Sequence, residues 1–203
     1  MSARAIAIVV MALTAPAAAE SDTAVSATSL ADEIGDQGMG ASVGVAGGTN
    51  FSPGGLRVAG HYLYQLSETD WFDGTASFTY GGRSAGCSPD QMSSALACDH
   101  GVGDGASVEI AATVRRMFAA QGAFRPFARA GLGVAVVRYA GDDLSGIAFP
   151  IHLGGGVRTA ISPSVAVVAQ ADLSLGVGAF GRGLGLEPQV GMTVTAGAEF
   201  RLR

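Results

Sequence analysis

The sequence predicts an all-β chain whose eight antiparallel strands close into an up-and-down transmembrane β-barrel. Three observations carry this. From residue 39 onward, apolar side chains recur with a strict period of two, the signature of strands rather than helices. The alternating stretches are mostly about ten residues long, matching the ~9–11 that a tilted strand needs to cross a bilayer. There are eight such stretches, and an even number of antiparallel strands can close without leaving an unpaired edge in lipid.

The elements follow in order. In the first, Met39, Ala41, Val43 and Val45 alternate with Gly40, Ser42, Gly44 and Ala46. The second sets Leu56, Val58, Gly60, Tyr62, Tyr64 and Leu66 against Arg57, Ala59, His61, Leu63 and Gln65. The third alternates Phe72, Gly74, Ala76, Phe78 and Tyr80 with Asp73, Thr75, Ser77 and Thr79. The fourth covers 107–115, with Val108, Ile110, Ala112 and Val114 on one face and Glu109 and Arg115 on the other. The remaining four run over 128–136, 147–158, 165–178 and 190–202, and carry Arg129, Arg158, Asp172 and Glu199 on the polar face. The links alternate in length. Residues 67–70, 119–123 and 161–164 are short; 47–55, 82–105, 140–146 and 179–187 are longer. Short periplasmic turns facing longer external loops are the pattern of an outer-membrane barrel. That pattern puts both chain ends in the periplasm and makes 82–105 the longest external loop. Tyr64, Phe72, Phe118 and Phe200 then fall near the periplasmic ends, and Tyr80, Tyr139 and Phe149 near the external ends, as two interfacial girdles.

Alternation alone does not say which face looks outward, because a soluble lipocalin-like barrel alternates too. The polar face decides. Of 203 residues, 31 are glycine, 48% are hydrophobic and only 14% are charged. All 12 basic residues are arginine, so the lysine-rich mantle of a soluble secreted barrel is missing. Small residues suit the crowded interior of a narrow barrel, and the bulky aliphatic face suits lipid. The same composition excludes a collagen-like chain, a disordered chain and, with a net charge of −5, a cationic nucleic-acid binder.

The front of the chain is expected to be processed. Arg4 precedes an apolar run from Ala5 to Leu13, followed by Pro16 and Ala17-Ala18-Ala19. This reads as a secretory signal peptide over 1–19, cut before Glu20. Residues 20–38 form a periplasmic leader, and 39–203 form the barrel domain. Cys87 and Cys98 fit export: in an oxidising compartment they pair across a polar loop, closing a ring worth roughly 3 kcal/mol in the entropic account.

The last strand carries a further signal. Thr195, Gly197, Phe200 and Leu202 sit in a polar-x-Gly-x-x-hydrophobic-x-hydrophobic pattern. It resembles the C-terminal signal that outer-membrane barrels present to the barrel-assembly machinery, although this chain continues to Arg203 where family members often end on an aromatic residue. Over residues 39–203 the chain resembles the small eight-stranded OmpA/OmpX-type barrels of the porin-like superfamily. The resemblance implies a meander inserted in a Gram-negative outer membrane, in contact with its lipid and lipopolysaccharide. It transfers no activity.

The polar face is expected to hold the barrel-interior charges Arg57, Glu109, Arg115, Arg129, Asp73, Arg158, Asp172, Glu199 and Arg201, nearly balanced in sign and therefore paired. Asp73, Arg115, Arg129, Arg158, Glu199 and Arg201 gather toward the periplasmic half; His61, His152 and Asp172 lie near mid-barrel on the same face. Ser174 stands near Asp172, but nothing activates it as a nucleophile. The His-x-Ser pair of lipid A deacylase-type barrels is absent from 167–174. No catalytic residue, cofactor or metal site is therefore assigned. Asp90, Asp99, Asp104, Asp142 and Asp143 lack cation-loop spacing, and Gly181–Gly185 lacks the strand–helix unit of a dinucleotide loop. The expected function is structural or surface-interacting: a rigid barrel displays loop 82–105 to a surface ligand or host factor. A small gated pore for ions or small solutes is the alternative, and a soluble periplasmic ligand-binding barrel the third reading.

Overall fold

The computed structural model describes residues 34–49, 52–81, 83–89, 96–102, 105–140, 143–181 and 183–202. The expected signal peptide and residues 20–33 of the leader lie outside them. Ten strands are present: β1 (Gln37–Thr49), β2 (Gly55–Gln65), β3 (Asp70–Tyr80), β4 (Arg83–Pro89), β5 (Leu96–Val102), β6 (Gly105–Met117), β7 (Phe124–Tyr139), β8 (Leu144–Ser162), β9 (Val165–Phe180) and β10 (Gly185–Leu202). Eight of them close a barrel in the order β1-β10-β9-β8-β7-β6-β3-β2, with β2 returning to β1. Every neighbouring pair is antiparallel.

The links expected at 140–146 and 179–187 shorten to 140–143 and 181–184, because β7, β8, β9 and β10 run on beyond the alternating stretches. Three further details differ from the pattern read off the sequence. The stretch 82–105 is not a plain loop: β4 and β5 pair with each other as a separate two-stranded sheet, while β3 and β6 pair directly in the barrel wall. β1 starts at Gln37, because that residue already lies in register with Tyr64 on one side and Leu202 on the other. The third is Tyr139, which is fully buried and points inward instead of joining the external girdle. Its parity is that of Arg129 and Ala135 on β7, so the two-residue period fixes it inside regardless of its height.

The short turns have local causes. In the link from β2 to β3, the Ser67 hydroxyl accepts the amides of Thr69 (3.3 Å) and Asp70 (3.0 Å). Ser162 repeats the device between β8 and β9, accepting the Val165 amide at 3.1 Å. Such Ser-based turns stand in for a backbone turn at a polar surface. Between β6 and β7 the reversal uses Gly122 at φ +63, where a side chain would be strained. Pro150 has no N–H to give the ladder; the β7–β8 pairing is interrupted between Leu132↔Ile151 and Ala135↔Ala148, on either side of it.

Alternation is turned inside out relative to a soluble protein. Ile110 is 71% exposed and Leu132 64% exposed, whereas Asp73 is fully buried. Exposed large apolar side chains, aliphatic or aromatic, recur along all eight barrel strands. Such a continuous apolar wall needs lipid around it, which removes the soluble-barrel reading. We therefore expect Ile110→Arg, near the middle of β6, to destabilise the barrel by about 2–4 kcal/mol in lipid vesicles, as charges on a lipid face do. Urea unfolding in vesicles measures this, and a change near zero would mean that the face does not meet lipid.

Candidate functional site

The site is the lumen and what stands above it. Inward positions of the periplasmic half bring together charges from six strands around one carboxylate. Asp73, on β3, accepts from Arg115 Nη2 at 2.8 Å and Arg129 Nη1 at 3.2 Å through Oδ2. Its Oδ1 lies 3.1 Å from both His61 Nδ1 and Thr75 Oγ1. Arg115 turns its other amine to Glu199 Oε1 at 2.5 Å, and the second oxygen of Glu199 accepts from Arg158 Nε at 3.0 Å. Arg129 Nε contacts Asp172 Oδ1 at 3.1 Å. The Arg115 guanidinium also lies 4.5 Å over the Phe127 ring, a cation–π contact that a dry site strengthens.

The room for these large side chains comes from glycine. A Cβ at Gly154 would collide with Asp172 Oδ1, and one at Gly131 would be 2.5 Å from the Thr113 Cα. The interior glycines are thus spaces cut for neighbours. The external half holds a second, smaller group. Arg57 reaches both oxygens of Glu109 at 3.5 Å, and His152 Nε2 stands 2.8 Å from the same carboxylate. Beside it lies a small cavity of about 50 Å³, also lined by Ser107, Gln189 and Thr193. Arg201 is not in the central cluster; it pairs with Asp36 at the periplasmic rim.

Sequence reasoning missed the apolar caps. Leu63, Trp71, Met117, Phe127 and Val168 fill the periplasmic end of the lumen; Val137, Tyr139, Leu144 and Phe180 pack together at the external end. Their inward parity was the signal that could have found them. It also missed Asp36 and Gln170 as partners of Arg201 and Arg129. His61 pairs with Asp73 and with Ser42 Oγ (2.9 Å). Among the described residues, no group of three or more His, Cys, Asp or Glu could hold a metal ion.

Above the external end, the register of β4 and β5 sets Cys87 opposite Cys98. At the seam, Thr195 points inward and is buried, while Phe200 and Leu202 point outward. A Cβ at Gly197 would collide with the Ala41 carbonyl oxygen, so β10 approaches β1 more closely there than a side chain allows.

No protein family and no curated protein matches the sequence. Solved structures do match the fold. Neisserial surface protein A superposes with a TM-score of 0.61 at 15% identity, over 82% of this chain and 97% of that one. Outer membrane protein OprG from Pseudomonas aeruginosa gives 0.56 at 7% identity, over 86% and 99%. Outer membrane protein AlkL gives 0.50 at 10% identity, over 83% and 90%. The fold is that of a small outer-membrane barrel. Its lipid-facing wall places this barrel in the membrane that such folds occupy, and the likeness extends to fold alone.

The buried cluster should behave as a unit. Asp73→Asn leaves Arg115 and Arg129 short of charge and should cost about 3–5 kcal/mol, as breaking a buried pair does. Asp70→Asn, which breaks the exposed pair with Arg116 (2.8 Å), should change stability little. Equilibrium unfolding of both variants in the same lipid checks the contrast.

Proposed function

We propose that this outer-membrane barrel is a non-enzymatic scaffold that presents the β4–β5 hairpin at the cell surface for contact with a surface ligand or host factor. The observation that carries the reading is the hairpin's independence. Tyr80 and Ala106 are already in register across β3 and β6, so the wall is complete without the intervening segment. A folded insertion that the barrel does not need for closure is spent on what lies outside it. The lumen supports the same reading. Asp73 and Arg115 are 0% and 2% exposed at the side chain, and the apolar caps stand on either side of them. An eight-stranded barrel is just wide enough for its own side chains.

Two further assignments belong to this reading. Cys87 and Cys98 form a disulfide that pins the hairpin register. Thr195, Gly197, Phe200 and Leu202 on β10 form the signal for the barrel-assembly machinery, with outward Phe200 and Leu202 available to a partner. Lipopolysaccharide surrounds the external half. The pore alternative draws on one observation, the small polar cavity beside Arg57 and Glu109.

Three measurements test the proposal. An epitope inserted after Asp90 should bind antibody on intact cells, whereas the same epitope after Ala120 should bind only after permeabilisation; the reverse pattern would invert the topology. Thiol alkylation should add mass only after reduction, and alkylation of the unreduced protein would remove the disulfide. In planar bilayers the protein should give no stepwise current; steps altered by Arg115→Met or Arg129→Met would establish the pore instead.

A further inference from the structure

The lipid-facing wall is not uniformly bulky. On β2, β3 and β6 the outward positions Gly60, Ala76, Gly74 and Ala112 carry at most a methyl group. Gly60 is in register with Ala76, and Gly74 with Ala112, so the small positions adjoin across neighbouring strands. The result is a groove of about 750 Å³ on the barrel exterior, walled by residues such as Phe72 and Leu132. A Cβ at Gly60 would meet nothing within 4 Å, so the floor is open rather than packed. At Gly74 a Cβ would stand 3.2 Å from the Phe72 ring, which leans over the floor as one wall.

Position says what medium fills the groove. Along β2 and β3 it is flanked on the external side by exposed Phe78 and Tyr80, and on the periplasmic side by exposed Tyr64. Aromatic residues at both levels mark the interfaces, so the groove lies in hydrocarbon, where water is not available to wet it. A second barrel presents a convex wall, which bridges such a groove without filling its floor. A single extended acyl chain can lie in it, held by the van der Waals contacts that an empty floor would forgo.

Charge at the periplasmic end identifies the kind of chain. Arg116 is on the same outward face of β6 as Ala112, four residues nearer the periplasm, and its side chain is 64% exposed. Asp70 engages its Nε (2.8 Å) and Nη2 (3.0 Å), leaving Nη1 for a phosphate oxygen. The guanidinium fork matches phosphate geometry as it does carboxylate. We infer that the groove over Gly60, Gly74, Ala76 and Ala112 is a binding site for one acyl chain of a phospholipid from the periplasm-facing leaflet, with its phosphate at Arg116. The inference rests on the membrane placement of the barrel and is independent of the hairpin's role.

Photo-crosslinking tests it. The full chain is reconstituted in phosphatidylethanolamine and phosphatidylglycerol vesicles containing a trace of phosphatidylethanolamine with a diazirine in one acyl chain. After irradiation, adducts should concentrate on the peptides that hold Gly60, Ala76 and Ala112. Gly60→Leu, and separately Ala76→Leu, should lower those adducts several-fold by filling the floor. Ala171→Leu, outward on the far side of the wall, should leave them unchanged. Heat-shifted gel mobility shows that each variant is folded. Arg116→Gln should weaken labelling by the phospholipid probe but not by a diazirine diacylglycerol, which has no phosphate. Adducts spread evenly around the wall, adducts indifferent to both filling variants, or protein–protein adducts at these residues would overturn the site. Equal loss of both probes in Arg116→Gln would overturn the phosphate contact.

Discussion

Thirteen residues of β1, from Gln37 to Thr49, lie in register with Leu202 to Val190 of β10, and this seam closes the sheet. Without it two strands would offer unpaired amides and carbonyls to hydrocarbon, at several kcal/mol for each unsatisfied group. Closure therefore comes before everything else. It explains why small residues gather where β1 and β10 meet: Gly44 lies against the Val194 carbonyl and Gly197 against that of Ala41. A larger residue at either place would push the two end strands apart.

Closure at eight strands makes the lumen narrow, and narrowness makes charge expensive. Asp73 has four donors or ring nitrogens around it, drawn from β2, β3, β6 and β7. Arg115 is shared between it and Glu199. Deleting one partner leaves the others buried and unpaired, so the group is held together by the cost of breaking it more than by the worth of any one contact. Apolar caps at the two ends keep the cluster dry, which strengthens the pairing further.

The two-residue period made the architecture readable. Which face each side chain occupies follows from its parity along a strand, and the strand number follows from counting alternating runs. Parity also placed Tyr139 inside, where height along the strand suggested the rim. Partners are another matter. His61 and Asp73 come together because β2 and β3 are neighbours with a particular stagger, and Arg115 meets Glu199 because β6 and β10 face each other across the lumen. Stagger and cross-lumen distance belong to the closed barrel, and no single strand carries them. The β4–β5 hairpin was hidden for a different reason: its strands are only seven residues each and mix small, polar and apolar residues, so pairing leaves no sustained apolar alternation to detect.

The placement of Glu199 has a consequence in time. Four arginines face the central lumen, Arg57, Arg115, Arg129 and Arg158, and the four carboxylates that answer them are Asp73, Glu109, Asp172 and Glu199. Glu199 stands on β10, the last of the eight barrel strands in chain order. A sheet still lacking β10 leaves Arg158 and half of Arg115 unanswered in the lumen, and Asp36 unanswered at the rim. Such an open intermediate has every reason to keep water in its groove and none to sit dry in the bilayer. Docking of β10 thus does two jobs at once: it completes the backbone ladder with β1 and β9 and brings the carboxylate that Arg115 and Arg158 share.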